Sequence, residues 1–157
     1  MLPIDYFKRQ AKNLLKDQRT RVWNEQEGFY DYSPCFFDVD KIFLSFGLFD
    51  DEEPCLQRSQ HLIAMIAGFK NWSELINCDQ KELTFRKLVF ENQNYLCWDE
   101  WILRYRSVMA SVNIPVNEMD IESQVRLYEQ WMTGNKNEGF ELDGTGFLLE
   151  AKYFKSL

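Results

Sequence analysis

The chain has 157 residues, of which 45% are hydrophobic, 16% aromatic and 27% charged; this balance excludes collagenous, low-complexity and wholly disordered classes and fits one folded domain. Eighteen Lys and Arg against 25 Asp and Glu give a net charge of −7, which works against non-specific adhesion to nucleic acid or anionic membrane. The average conceals a division: residues 1–21 hold six cations and two acids, or +4, whereas residues 22–157 hold 12 cations and 23 acids, or −11.

Pro3 stands at a favourable first-turn position, and Ile4, Phe7, Ala11, Leu14 and Leu15 recur at helical spacing, so a first helix is expected from Pro3 to Asp17. Lys8, Lys12, Lys16 and Arg19 fall on another of its faces. Residues 22–34 hold alternating aromatics about Glu27-Gly28 and no helical stripe, the pattern of an irregular or hairpin-like connection. Asp38 or Asp40 then caps a short helix carrying Ile42, Phe43, Leu44 and Phe46, ended by Gly47. After the acidic stretch Asp50-Asp51-Glu52-Glu53-Pro54, the series Leu56, His61, Leu62, Met65 and Ile66 predicts a core helix stopped by Gly68.

Asn71 is placed to cap a short helix bearing Trp72, Leu75 and Ile76. Asp79 and Glu82 form a capping-box-like pair opening a helix to about Asn92. Trp98, Trp101, Ile102, Tyr105 and Met109 continue the helical series until Asn113 to Val116, where Pro115 breaks it. Asn117 is expected to cap a last helix with Ile121, Val125, Leu127, Tyr128 and Trp131, terminated by Thr133-Gly134-Asn135. The expectation is a single all-α domain over 1–157, a compact bundle of about six helices with an aromatic-rich irregular connection near the N-terminus. Its parts are a helical module at 4–76, further helices at 77–135 and a glycine-containing tail at 136–157. The expected core includes Phe7, Leu14, Leu62, Met65, Phe69, Trp72 and Leu75, and the stripes carrying Trp98, Trp101, Tyr105 and Trp131 also point inward.

Two segments belong together: Phe7-Lys8-Arg9-Gln10-Ala11-Lys12-Asn13-Leu14, and Ser59 to Leu75 with its Gly68-Phe69-Lys70-Asn71-Trp72-Ser73-Glu74-Leu75 ending. They resemble a small helical module of bacterial proteins, of pattern K-R-x-A-K and then G-F-x-x-W-x-x-L, found in small proteins of unknown role and beside some glyoxalase-superfamily domains. The resemblance covers residues 4–76 and implies a fold without catalytic residues. A glyoxalase-type metal site needs His and Glu ligands on paired strands, and this chain has one His.

Chemistry has few footholds. His61, the sole histidine, lies near Cys55 and the acidic stretch, and a Cys/His nucleophile pair would need the imidazole to hold a thiolate; no third orienting residue or oxyanion-hole motif accompanies it. Asp38, Asp40 and the run Asp50–Glu53 lack the spacing of a calcium loop, and capping accounts for them better. Asp143-Gly144-Thr145-Gly146 lacks the Lys-Ser/Thr ending of a phosphate loop and reads as a turn. Cys35, Cys55, Cys78 and Cys97 show no C-x-x-C pair, so free thiols in a reducing compartment are expected. No catalytic residue, metal or cofactor is assigned, and the chain is not expected to be an enzyme.

No run approaches the ~18 uninterrupted apolar residues of a membrane span, and the first residues lack the order of a signal peptide, so a cytoplasmic protein with no membrane partner is expected. The surplus of rings at Trp23, Phe29, Tyr30, Tyr32, Phe36 and Phe37 fits equally a protein-binding surface or a cover over the open side of the helical module. The leading expectation is therefore a non-catalytic, protein-binding accessory or regulator in a bacterial cytosol, immunity- or antitoxin-like. The alternative is a nucleic-acid-associated regulator using Lys8, Arg9, Lys12, Lys16, Arg19 and Arg21, and an enzyme centred on His61 is third.

Overall fold

Apolar residues three and four apart, with Asp, Asn and Gly at the segment ends, set where helices form in the computed structural model, which describes residues 1–48, 52–139 and 146–149. The described residues form seven helices and one hairpin. In chain order these are α1 (Pro3–Gln18), β1 (Val22–Asn24), β2 (Phe29–Asp31), α2 (Val39–Ser45), α3 (Leu56–Ile66), α4 (Trp72–Asn77), α5 (Gln80–Glu91), α6 (Trp98–Ser111) and α7 (Ile121–Asn137). The fold is mostly helical but not all-α. The connection at 22–34 closes as an antiparallel pair, Val22 opposite Asp31, Trp23 opposite Tyr30 and Asn24 opposite Phe29. Gly28 at φ +73° makes its turn, a conformation that costs a residue without Cβ little.

Side-chain caps start four of the seven described helices. Asp38, rather than Asp40, accepts from the Lys41 amide at α2, and Asn71 accepts from Glu74 while Glu74 accepts from the Lys70 amide at α4. At α5, Asp79 accepts from Lys81 and Glu82, but Glu82 turns to Arg86 instead of completing the box. The cap of α7 is Asp120, which accepts from Ser123, not Asn117: residues 115–118 form a turn, with the Glu118 amide on the Pro115 carbonyl. Gly134 does not end α7 either. The helix continues through it to Asn137, and the left-handed turn comes at Gly139, φ +69°.

The chain divides into two compact units, residues 1–63 with 147–157 and residues 64–146, and the division falls within α3. In the first, α1 buries Tyr6, Phe7, Ala11, Leu14 and Leu15, and Phe37, Val39, Ile42, Phe43, Leu62 and Ile63 are buried in the same unit. Residues 147–149 run antiparallel to 36–38: the Asp38 amide donates to the Phe147 carbonyl at 2.8 Å and the Leu149 amide to the Phe36 carbonyl at 3.0 Å. The rest of the expected glycine-containing tail from 140 onward, Asp143-Gly144-Thr145 included, lies outside the described residues apart from Gly146.

The second unit is built on rings. Phe85 of α5 meets Trp101 of α6 and Tyr128 of α7 edge-on, and Tyr105 stacks on Trp101. Leu96, Val89 and Met109 complete the buried set, with Trp98 and Trp131 half-buried against it. Gly68 (φ +83°) ends α3, and a Cβ there would collide with the Trp98 ring and the Arg86 guanidinium. Arg86 fills that space, lying over the Trp98 and Phe69 rings and donating to the Ala67 and Gly68 carbonyls. It thereby satisfies carbonyls that a helix end leaves open. Burial lowers its guanidinium from the ordinary value while Glu82 opposes the shift. Of the expected core, Phe7, Leu14, Leu62, Phe69 and Leu75 are buried, but Met65 and Trp72 are only half-buried. The space beside Gly68 is occupied by Trp98 and Arg86.

Candidate interaction surface

All six aromatics singled out in the sequence belong to the first unit, and three of them, Trp23, Phe29 and Tyr30, stand on the hairpin strands. Trp23 and Tyr30 are cross-strand partners on one face of the hairpin, in edge contact at 5.0 Å. Phe29 projects from the other face, which Val22 shares, because adjacent strand residues alternate. Both faces meet water: Val22 is 67% exposed, Trp23 52% and Phe29 46%.

The remaining rings turn inward to different degrees. Phe37 is 0% exposed and belongs to the core, so its assignment to a partner surface is corrected: its amide and those of Cys35 and Phe36 all donate to the Asp17 carboxylate at 2.8 Å. That anchorage pins the segment after the hairpin to the end of α1. Tyr32 is half-buried against Phe43, 6.0 Å between centroids. Phe36 keeps an exposed side chain while its backbone is held on both sides, by Asp17 and by Leu149. The surface candidates reduce to Val22, Trp23, Phe29 and Phe36, with Tyr30 supporting Trp23.

Val22 and Asp17 are the residues that composition did not single out. A carboxylate on the apolar side of α1, seven residues after Gln10 and three after Leu14, was a legible signal. Its three partners, twenty residues onward, were not.

The cations also separate. Arg21 stacks over Tyr30 at 4.4 Å, pairs with Glu53 at 2.6 Å and donates to the Glu52 carbonyl. It is therefore engaged within the unit rather than part of a free basic face. Lys8, Arg9, Lys12, Lys16 and Arg19 are exposed. With 100° per residue, they fall within a sector of about 100°, next to the buried side of α1.

Reactive chemistry gains nothing from the geometry. His61 is exposed on α3. Cys55, six residues earlier, falls off its helical face. Burial pushes the Cys78 thiol up, with Glu82 adding to it, and burial raises the Cys97 thiol against an amide hydrogen bond from Glu100. These two sulfurs are therefore held away from the thiolate form that nucleophiles need. Among the described residues no three His, Cys, Asp or Glu side chains gather as a metal ion would require; Asp50 and Asp51 lie outside them. No described helix is long and apolar enough to cross a membrane. Compared with protein-family models, curated proteins and solved structures, the chain matches none.

Proposed function

We propose that the chain is a non-catalytic protein-binding accessory or regulator of a bacterial cytosol, immunity- or antitoxin-like, and that the β1–β2 hairpin is its contact element. The observation that carries this is the exposure of large apolar side chains on both faces of a three-residue-per-strand hairpin. A two-stranded ribbon in water is marginal, and further strands or a packed face normally hold it. Here Trp23, Tyr30 and Arg21 stack on one face, and Val22 and Phe29 are left to water on the other. Aromatic side chains standing free on a firmly anchored base are the anchors that protein interfaces bury.

The test is capture from extracts of the native host, comparing the parent with a Trp23→Ala/Phe29→Ala double variant whose fold is verified by circular dichroism. The expected result is a specific protein recovered by the parent and lost by the variant. Equal recovery by both, or recovery of none, would sink the reading. The exposed cations of α1 favour a second reading, a nucleic-acid-associated regulator. Clear retardation of DNA or RNA at low salt that vanishes at moderate salt would support it, and the net charge of −7 makes no retardation the expected result.

A further inference from the structure

We infer that the solvent face of α1 is a docking surface for a protein segment that presents a row of carboxylates, such as an acidic helix. This rests on the protein-binding reading above and supplies the chemistry of the partner. Lys8, Lys12, Lys16 and Arg19 follow one another by four, four and three residues, so they rise along the helix at intervals of about 6, 6 and 4.5 Å. Arg9 flanks them at the edge of the same sector. An acidic helix carrying Asp or Glu at every fourth position repeats at the same ~6 Å.

Among the described residues the stripe meets little opposite charge within the unit. Among the described residues Lys12, Lys16 and Arg19 make no ion pair, and the one carboxylate near Lys8 is Asp5 at 3.9 Å, both side chains more than half exposed. The same unit does pair its other arginines: Arg21 takes Glu53, and Arg58 takes Glu52 at 3.4 Å. Like charges four apart repel along an isolated helix. A free stripe is thus locally unfavourable and gains by meeting opposite charge.

Length decides between a carboxylate row and a nucleic acid. Lys8 to Arg19 spans about 16 Å, along which a duplex would set roughly ten phosphates against five cations. A duplex also continues past the stripe, past a chain whose remaining residues 22–157 sum to −11. A protein segment can end where the stripe ends, and short-range complementarity of this kind chiefly raises the association rate and selects the partner.

The experiment measures fluorescence anisotropy on the full chain with two labelled probes: a synthetic helical peptide with Glu at every fourth position, and a duplex oligonucleotide of the same length along its axis. The peptide is expected to bind at low salt and to weaken about tenfold or more at moderate salt. Lys8→Glu/Lys12→Glu/Lys16→Glu should weaken it at least about tenfold, whereas Lys70→Glu/Arg104→Glu/Arg106→Glu, with the same change in net charge, should stay within about twofold. Tighter binding of the duplex than of the peptide, no binding of the peptide at low salt, or equal loss in both triple variants would overturn the inference. Its failure is separable from that of the functional reading. If the Trp23→Ala/Phe29→Ala variant loses the host protein while the peptide ignores the stripe, only the acidic-partner assignment falls.

Discussion

In the unit formed by residues 64–146, Phe85, Trp101, Tyr105 and Tyr128 close on one another with none more than 1% exposed, whereas in the hairpin of the other unit Trp23 and Phe29 stand about half in water. The residue types are alike, so the difference lies in the period of the backbone. Trp101 and Tyr105 are four apart on α6 and share a face. Trp23 and Phe29 sit at non-opposed positions of two strands and face apart. A helical period concentrates rings into a core, and this two-stranded ribbon leaves Trp23 and Phe29 about half in solvent.

The largest effect that tests this contrast is loss of a ring from the closed cluster. Trp101→Ala should cost about 3–5 kcal/mol in denaturant unfolding, since it empties a fully buried aromatic site. Trp101→Phe should cost much less, because the indole Nε1 is buried without a hydrogen-bond partner and the change removes an unsatisfied donor. Trp72→Ala, at a half-buried ring, should fall clearly below Trp101→Ala. Equal costs at the two sites would mean that burial does not rank these rings.

Next in size is the anchor of the hairpin's base. Asp17→Ala should destabilise by about 2–4 kcal/mol, because it strands three amide donors, that of buried Phe37 among them. Asp17→Asn should recover part of this, since its Oδ1 can keep the Phe36 and Phe37 amides while its NH₂ faces the Cys35 amide. The comparison sharpens if these variants disturb the 33–37 segment while leaving the Trp101 fluorescence environment unchanged, and it breaks if both units respond alike.

These two sites show how much was legible. Helix positions followed from spacing because α1, α3, α5, α6 and most of α7 carry continuous apolar stripes, with Asp at the start of α5 and α7, and the left-handed glycines 28, 47 and 68 stand where the sequence breaks. The cap of α7 was misplaced by three residues, as Asn117 and Asp120 are chemically alike and only the turn at Pro115 tells them apart. The hairpin was half legible: its alternation was visible, but three residues per strand is too short a run for periodicity to require pairing. Phe37 was not legible at all. Its burial depends on Asp17, twenty residues earlier, and no local pattern encodes that contact. Arg21 left the basic set for the same reason, through Tyr30 and Glu53.

A smaller effect should come from a hydroxyl within the closed cluster and carry a pH signature. The Tyr128 hydroxyl donates to the Leu96 carbonyl at 2.8 Å, and burial raises its phenol well above the ordinary value, with Cys97 adding to the shift. A raised pKa gives stability that is whole below the unfolded value of about 10 and is lost as pH climbs toward the folded one. The parent should therefore weaken progressively above about pH 10 in equilibrium unfolding. Tyr128→Phe should cost about 1–2 kcal/mol at neutral pH, through the orphaned carbonyl, and should flatten that alkaline slope. An unchanged slope would place the alkaline loss elsewhere.

The smallest stability change belongs to the hairpin itself. Trp23→Ala removes one cross-strand ring pair, a contribution of about 0.2–1 kcal/mol, and Phe29→Ala removes a side chain opposite Asn24 that is already about half in water. Each should lower the unfolding free energy by less than about 1 kcal/mol, the range of substitutions away from a core. The hairpin base, held by Asp17 and Arg21, is untouched by either change, so the fold should survive both together. The rings of the 64–146 unit are then the ones that stability needs, and those of the hairpin contribute little to it. A cost at Trp23 or Phe29 near that of Trp101→Ala would show the hairpin rings to be structural, and the contrast between the two regions would fail with the contact role built on it.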